Sequence, residues 1–149
     1  MELALRHSLT DCHIEQLVEL FRNEWWSRGR DTASVQEMLS STDLVFALVE
    51  PSADRLGAFA RVLTDRVYFA IVLDVIVAPS LRGQQLGRRL IDAICAHPHL
   101  ARVQSLELVC QPALTPFYRK LGFTDQVGAS TLMRRTAAQH LTGFPGGAA

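Results

Sequence analysis

The sequence predicts an α+β domain: a mixed, mostly antiparallel central sheet flanked by helices. Three observations predict it. First, Leu44–Val49, Leu56–Leu63 and the run from Val67 to Val77 are rich in apolar and β-branched residues. Pro51–Asp54 and Thr64-Asp65-Arg66 separate them with turn chemistry, which suits three consecutive antiparallel strands. Second, Ile14, Leu17, Val18 and Phe21 recur at helical spacing, as do Leu86, Leu90, Ile91, Ile94 and Cys95. Third, this later helix stands between two strand patterns, a strand–helix–strand unit that adds a parallel neighbour to the sheet.

In chain order, Glu2 to His7 alternates polar and apolar residues, as a short first strand would. Thr10 or Asp11 offers a helix N-cap with Glu15 in the early turns, and the helix is expected to reach about Trp26 and end near Gly29. Asn23 to Asp31 reads NEWWSRGRD, aromatics and arginines at a helix end. One tryptophan packing in the core beside solvated arginines accounts for it. Thr32–Leu39 reads as a second helix. Ile71–Val77 suits a buried strand, and Pro79, having no N–H for a ladder, stops it.

After the later helix, His97-Pro98-His99 marks a polar loop, with no carboxylate or cysteine at metal-ligand spacing. Val103–Val109 is a strand with Leu106 and Leu108 on one face, Glu107 and Val109 on the other. Thr115 and Pro116 open a short helix ending at Gly122. Thr131–Arg134 reads as a final strand. The single domain is expected over 1–136, with 137–149, ending in PGGAA, as a flexible tail.

A chain of 149 residues with 48% hydrophobic and 20% charged content is long enough to bury one substantial core. Its net charge of zero gives no global attraction to nucleic acid or anionic membrane. No stretch approaches the ~20 apolar residues of a membrane span, and no signal peptide is visible. Cys12, Cys95 and Cys110 are odd in number and widely spaced, so buried free thiols in a reducing cytoplasm are expected, with no metal site.

The chemistry-bearing stretch is Val72 to Ala96, VLDVIVAPSLRGQQLGRRLIDAICA. A strand leads through a short loop into a helix whose first-turn N–H groups lack intrahelical partners and, with the helix dipole, suit an anion. Gly83 admits close approach to the backbone, and Arg82, Arg88 and Arg89 add positive charge. Spacing alone equally allows Gly83 to shape a turn and the arginines to solvate the helix. Asp74 stands alone in an apolar strand, where an unpartnered carboxylate would be costly.

Val75-Ile76-Val77-Ala78-Pro79-Ser80-Leu81-Arg82-Gly83-Gln84-Gln85-Leu86-Gly87 resembles the acetyl-CoA-binding motif of the GNAT N-acetyltransferases: Arg or Gln, two residues, Gly, one residue, then Gly or Ala, straight after a strand. Arg82 and Gly87 match, while Gln85 stands where the family usually has its first glycine. Phe117-Tyr118-Arg119-Lys120-Leu121-Gly122-Phe123 resembles the family's closing motif. The resemblance covers about Glu2 to Arg135. It implies splayed central strands and acetyl transfer from acetyl-CoA to a primary amine of a small molecule or peptide. The cosubstrate would lie on Val75, Ile76, Val77, Arg82, Gly83, Gln84, Gln85, Leu86, Gly87 and Arg88, with a backbone N–H near Ile76 at the thioester carbonyl. Tyr118 falls on the tyrosine that faces the sulfur.

The same resemblance makes Trp25, Trp26, Arg28 and Arg30 candidates to shape the acceptor pocket, and it allows a homodimer. An alkyl amine is neutral only about once in a thousand at pH 7, so a base would help. Asp74 and Glu107 are the candidates, the latter in a Leu-Glu-Leu context like that of protein N-terminal acetylases. For each, a purely structural role is the rival reading. Gln111-Pro112 replaces an asparagine common in relatives. Two other readings stay open. One is a non-catalytic acyl-CoA-binding sensor or partner subunit. The other is a nucleotide-phosphate binder, for which the Walker lysine is missing.

Overall fold

One five-stranded sheet, in the order β1-β2-β3-β4-β5, organises the computed structural model, which describes residues 2–142. The strands are β1 (Ala4–Arg6), β2 (Leu44–Glu50), β3 (Arg55–Thr64), β4 (Phe69–Val77) and β5 (Ser105–Leu108). The first four pair antiparallel and β5 runs parallel to β4, the mixed sheet the sequence predicts. The helices are α1 (Asp11–Arg22), α2 (Thr32–Ser40), α3 (Leu86–Ala96) and α4 (Thr115–Arg119). None is long and apolar enough to cross a membrane.

Alternation along the strands divides the core in two. On one face Leu17, Val18 and Phe21 of α1 and Val35 of α2 pack on Ala47, Phe59 and Ile76. On the other, Leu90, Ile91 and Ile94 of α3 and Tyr118 of α4 pack on Phe46, Ala60, Ala70 and Val72. A bulge in β4 keeps both faces apolar. Arg61 pairs with Leu73 and Phe59 with Ile76, so Asp74 and Val75 together oppose only Ala60. Asp74 takes φ +57° there. Beyond it the chain continues toward Val77, while pairing with β5 stops at Val72–Leu108. β4 and β5 therefore part beyond this pair.

Helix α1 begins in a capping box: Thr10 Oγ1 accepts from the His13 N–H (3.2 Å) and His13 Nδ1 accepts from the Thr10 N–H (3.3 Å). With Nδ1 an acceptor, Nε2–H donates to the Asp54 carboxylate at 2.8 Å. Gln16 adds bonds to Asp54 O and from Leu56 N, so the β2–β3 turn is pinned to α1.

Several boundaries differ from expectation. Helix α1 ends at Arg22, not Trp26, because Glu24 is extended and Trp25–Ser27 form a separate 3₁₀ turn; the Ser27 hydroxyl donates to the Phe21 carbonyl at 2.8 Å. β1 and β5 are shorter than Glu2–His7 and Val103–Val109. α4 stops at Arg119, and a tight turn through Gly122 (φ +94°) returns the Leu121 and Phe123 N–H groups to the Tyr118 carbonyl. Thr131–Arg134 forms no strand. Its adjacent Leu132 and Met133 would point to opposite faces, so neither face gains an apolar stripe, and they stand 65% and 90% exposed. The cysteines are not buried: Cys12 and Cys95 are exposed, the latter falling outside the buried stripe of Leu86, Leu90, Ile91 and Ile94, and Cys110 is half-buried against the core. Of the expected tail, Gln139–Leu141 form a 3₁₀ turn and residues 143–149 lie outside the described residues.

Candidate active site

The end of β4, the loop after it and the start of α3 form one backbone-lined surface. Ala78 N–H donates to Gly57 O at 2.8 Å, on the β3 side. Alternation turns the Ile76 N–H the same way, and turns those of Val75 and Val77 to the side where β5 has departed. The free donors are thus the neighbours of Ile76, not Ile76 itself. The loop is anchored by Leu81, 3% exposed, within the 3₁₀ turn Pro79–Leu81. Gly83 needs its φ of +82°, and a side chain there would point into open space. Gln85 takes the same left-handed region at φ 60°, ψ 25° as the residue before α3.

No side chain caps α3. The first helical bond, Arg89 N–H to Gln85 O at 3.0 Å, leaves the N–H groups of Leu86, Gly87 and Arg88 for a ligand or solvent. A Cβ on Gly87 would meet Phe117 Cζ at 3.4 Å, so α3 and α4 approach closely here. The arginines around the loop are engaged: Arg82 with Glu24 (3.0 Å), Arg88 with Asp92 (3.5 Å) and Arg89 with the Leu3 carbonyl (3.0 Å). The positive potential facing the loop is therefore chiefly that of the backbone.

Tyr118 is 7% exposed, held edge-on between Phe117 and Phe123 with ring centroids at 4.9 and 5.9 Å. Burial, with Cys110 as the lesser influence, pushes its phenol up to about 12. Tyr118, Cys110 and Glu107 line one cleft of about 690 Å³ along the outer edge of β5. Glu107 is exposed and accepts from Ser105 Oγ at 3.0 Å.

Asp74 is not alone. Arg30 grips it with both Nη atoms (2.9 and 3.2 Å) and Arg61 Nε donates to it at 2.6 Å. The Arg30 guanidinium also lies over the rings of Phe21 (4.5 Å) and Trp26 (5.7 Å), so the α1–α2 connection is tied to β4 at its bulge. Trp26, Arg30 and Asp74 are brought together, whereas Tyr118 and Glu107 share only the cleft, because Leu106 and Leu108 pack with Tyr118 and Glu107 alternates to the other face of β5. Arg28 is exposed and outside the cluster, and Trp25 buries an indole Nε1 with no hydrogen-bond partner among the described residues. Arg61 was not foreseen. Its signal was a lone charge in the apolar run of β3, matching the lone Asp74 in the run of β4. Among the described residues no group of three or more His, Cys, Asp or Glu could hold a metal.

The family model for the acetyltransferase (GNAT) domain matches residues 42–125. The chain is 31% identical over 81% of its length to GCN5-related N-acetyltransferase 1, chloroplastic, of Arabidopsis thaliana, and 34% identical over 80% to Serotonin N-acetyltransferase 2, chloroplastic, of Oryza sativa. The matched regions span 61% and 60% of those longer proteins. A solved GNAT-family structure from Xanthomonas campestris superposes with a TM-score of 0.80 at 27% identity, covering 91% of this chain and 94% of that one. Glucosamine-6-phosphate N-acetyltransferase from Arabidopsis thaliana shares the fold, with a TM-score of 0.71 at 16% identity.

Proposed function

The chain belongs to the GNAT acetyltransferase family, and from that premise we propose that it transfers an acetyl group from acetyl-CoA to a primary amine of a small molecule or peptide. One observation carries the reading: β4 is unpaired on its β5 side beyond Val72 and leads through one short loop, residues 78–85, to an uncapped helix start. The pyrophosphate would rest on the N–H groups of Leu86 to Arg88, with Gly83 and Gln84 beneath it. The pantetheine arm would pair with the free edge at Val75 and Val77, whose N–H groups would polarise the thioester carbonyl.

Tyr118 would face the sulfur. Its phenol, near 12, against a thiol near ~8.5 makes full proton transfer uphill by about 5 kcal/mol, so it acts as a hydrogen-bond donor to the departing thiolate. Tyr118→Phe is expected to lower kcat about a hundredfold with little change in KM for acetyl-CoA, read from thiol release under saturating acceptor. Asp74 serves as a structural tie, because its oxygens are occupied by two guanidiniums. Glu107, directly or through water, is the better placed group to take the amine proton.

The test is thermal unfolding with acetyl-CoA, CoA and ATP in turn, followed by thiol release with a panel of primary amines. Stabilisation by both CoA species but not ATP, with amine-dependent thiol release, is the expected result. Stabilisation without turnover of any amine would favour a non-catalytic acyl-CoA-binding protein. Absence of any CoA effect would remove the reading.

A further inference from the structure

Two arginines share a single carboxylate beside the proposed acceptor site. Arg61 pairs across the sheet with Val45 and Leu73, and Val45 packs with the α1 and α2 core, so the Arg61 side chain lies on that face. Leu73 and Ile71 follow on the same face at two-residue spacing, and Glu107 lies opposite Ile71. Arg61 gives only Nε to Asp74, and its Nη atoms make no hydrogen bond to any described residue. No second carboxylate among the described residues bonds Arg30 or Arg61. The group thus holds one net positive charge where the side chains of Arg30, Arg61 and Asp74 are 28%, 14% and 7% exposed. A charge so sheltered attracts a counter-charge more strongly than a solvated surface arginine does.

We propose that the acceptor amine also carries an anionic group, a carboxylate or a phosphate, which Arg61 binds through its free Nη atoms with Arg30 beside it. The acceptor's apolar body lies over Leu73 and Ile71, and its amine faces the gap between β4 and β5. Glu107 on the far side supplies the opposite sign, so the face matches a molecule bearing both charges. The planar guanidinium fork suits either oxyanion. This assignment of acceptor class rests on the acetyl-transfer reading above.

The experiment compares primary alkylamines of graded chain length with ω-amino carboxylates and ω-aminoalkyl phosphates of the same lengths, for wild type, Arg61→Gln and Arg61→Lys. Gln can still donate to Asp74 but carries no charge. One oxyanion-bearing arm should exceed the alkylamine of the same length by about tenfold or more in kcat/KM, chiefly through KM. The arm that does so identifies the oxyanion. The advantage should collapse in Arg61→Gln and survive in part in Arg61→Lys. In wild type, added salt should raise KM for the acceptor bearing the oxyanion more than for the simple alkylamine, a readout that holds even if a variant fails to fold. Equal turnover of amines with and without the oxyanion, or an advantage undiminished in folded Arg61→Gln, overturns the proposal while leaving acetyl transfer intact. Failure of every amine to release thiol, despite stabilisation by acetyl-CoA, overturns both.

Discussion

Two positive regions meet on β4, and they are built in opposite ways. The start of α3 draws its potential from the N–H groups of Leu86, Gly87 and Arg88, while the arginines around it are paired elsewhere. The cluster at the bulge draws its potential from side chains: Arg30 and Arg61 reach Asp74 across sequence separations of 44 and 13 residues. A backbone-built site needs little beyond a permitted φ and a clear approach, so it tolerates change in its side chains. A side-chain-built site stands or falls with the packing that brings its members together.

Breaking the cluster should have the largest effect. Asp74→Ala leaves two guanidiniums facing each other in a half-closed place, which should cost about 3 kcal/mol and lower Tm by roughly 10 °C. Asp74→Asn, which keeps an acceptor oxygen, should cost less. A loss for Asp74→Ala no larger than that of an exposed substitution in thermal unfolding would mean that nothing is tied at the bulge.

The backbone-built site should respond differently. Gly83→Glu forces a side chain into φ +82°, which costs only about 1 kcal/mol of stability because no neighbour is displaced. It should abolish the roughly 2.7 kcal/mol that acetyl-CoA adds at a hundred times its Kd. Unfolding curves with and without ligand separate the two. An unchanged ligand effect would move the cosubstrate away from this loop.

A gentler change in the same loop should go the other way. Gln85→Gly relieves the left-handed conformation, worth roughly 1 kcal/mol, and gives part of that back as entropy of the unfolded chain. The expected net is a small rise in Tm with the acetyl-CoA effect retained. A fall would mean that the Gln85 side chain contributes something its missing cap bond does not reveal.

The smallest effect should come from the far end of α3. His97 packs edge-on against His7, Phe46 and His99. Burial, then His99, His7 and Arg66, hold its imidazolium below the usual 6.5. The folded state therefore binds this proton less readily than the unfolded chain does. Its stability is complete above about pH 6.5 and declines as pH falls from there through the lowered folded value. The urea midpoint should drop between pH 7.5 and pH 5.5, and His97→Phe should reduce that drop. An equal drop in the variant would place the acid sensitivity elsewhere.

Much of the scaffold was legible because its signals are local. The three antiparallel strands follow from apolar runs cut by Pro51–Asp54 and Thr64-Asp65-Arg66, and α3 follows from Leu86, Leu90, Ile91 and Ile94. The end of α1 was misjudged because its periodicity runs on into the tryptophans, whereas Ser27 captures the Phe21 carbonyl and stops it. Thr131–Arg134 looked like a strand by composition and is not one, because a strand needs a paired neighbour and a consistent face.

By itself the sequence determined the strand–loop–helix unit, the place of Gly83 before the helix and the α+β class. Proline, glycine and hydrophobic period act within a few residues and need no distant partner. Tertiary structure decided the rest. One bulge residue turned the Ile76 N–H toward β3 and left Val75 and Val77 facing the gap. The same bulge set Asp74 between Arg30 and Arg61, which no local pattern relates, because a carboxylate in an apolar strand announces that it needs a partner and not where on the chain that partner lies.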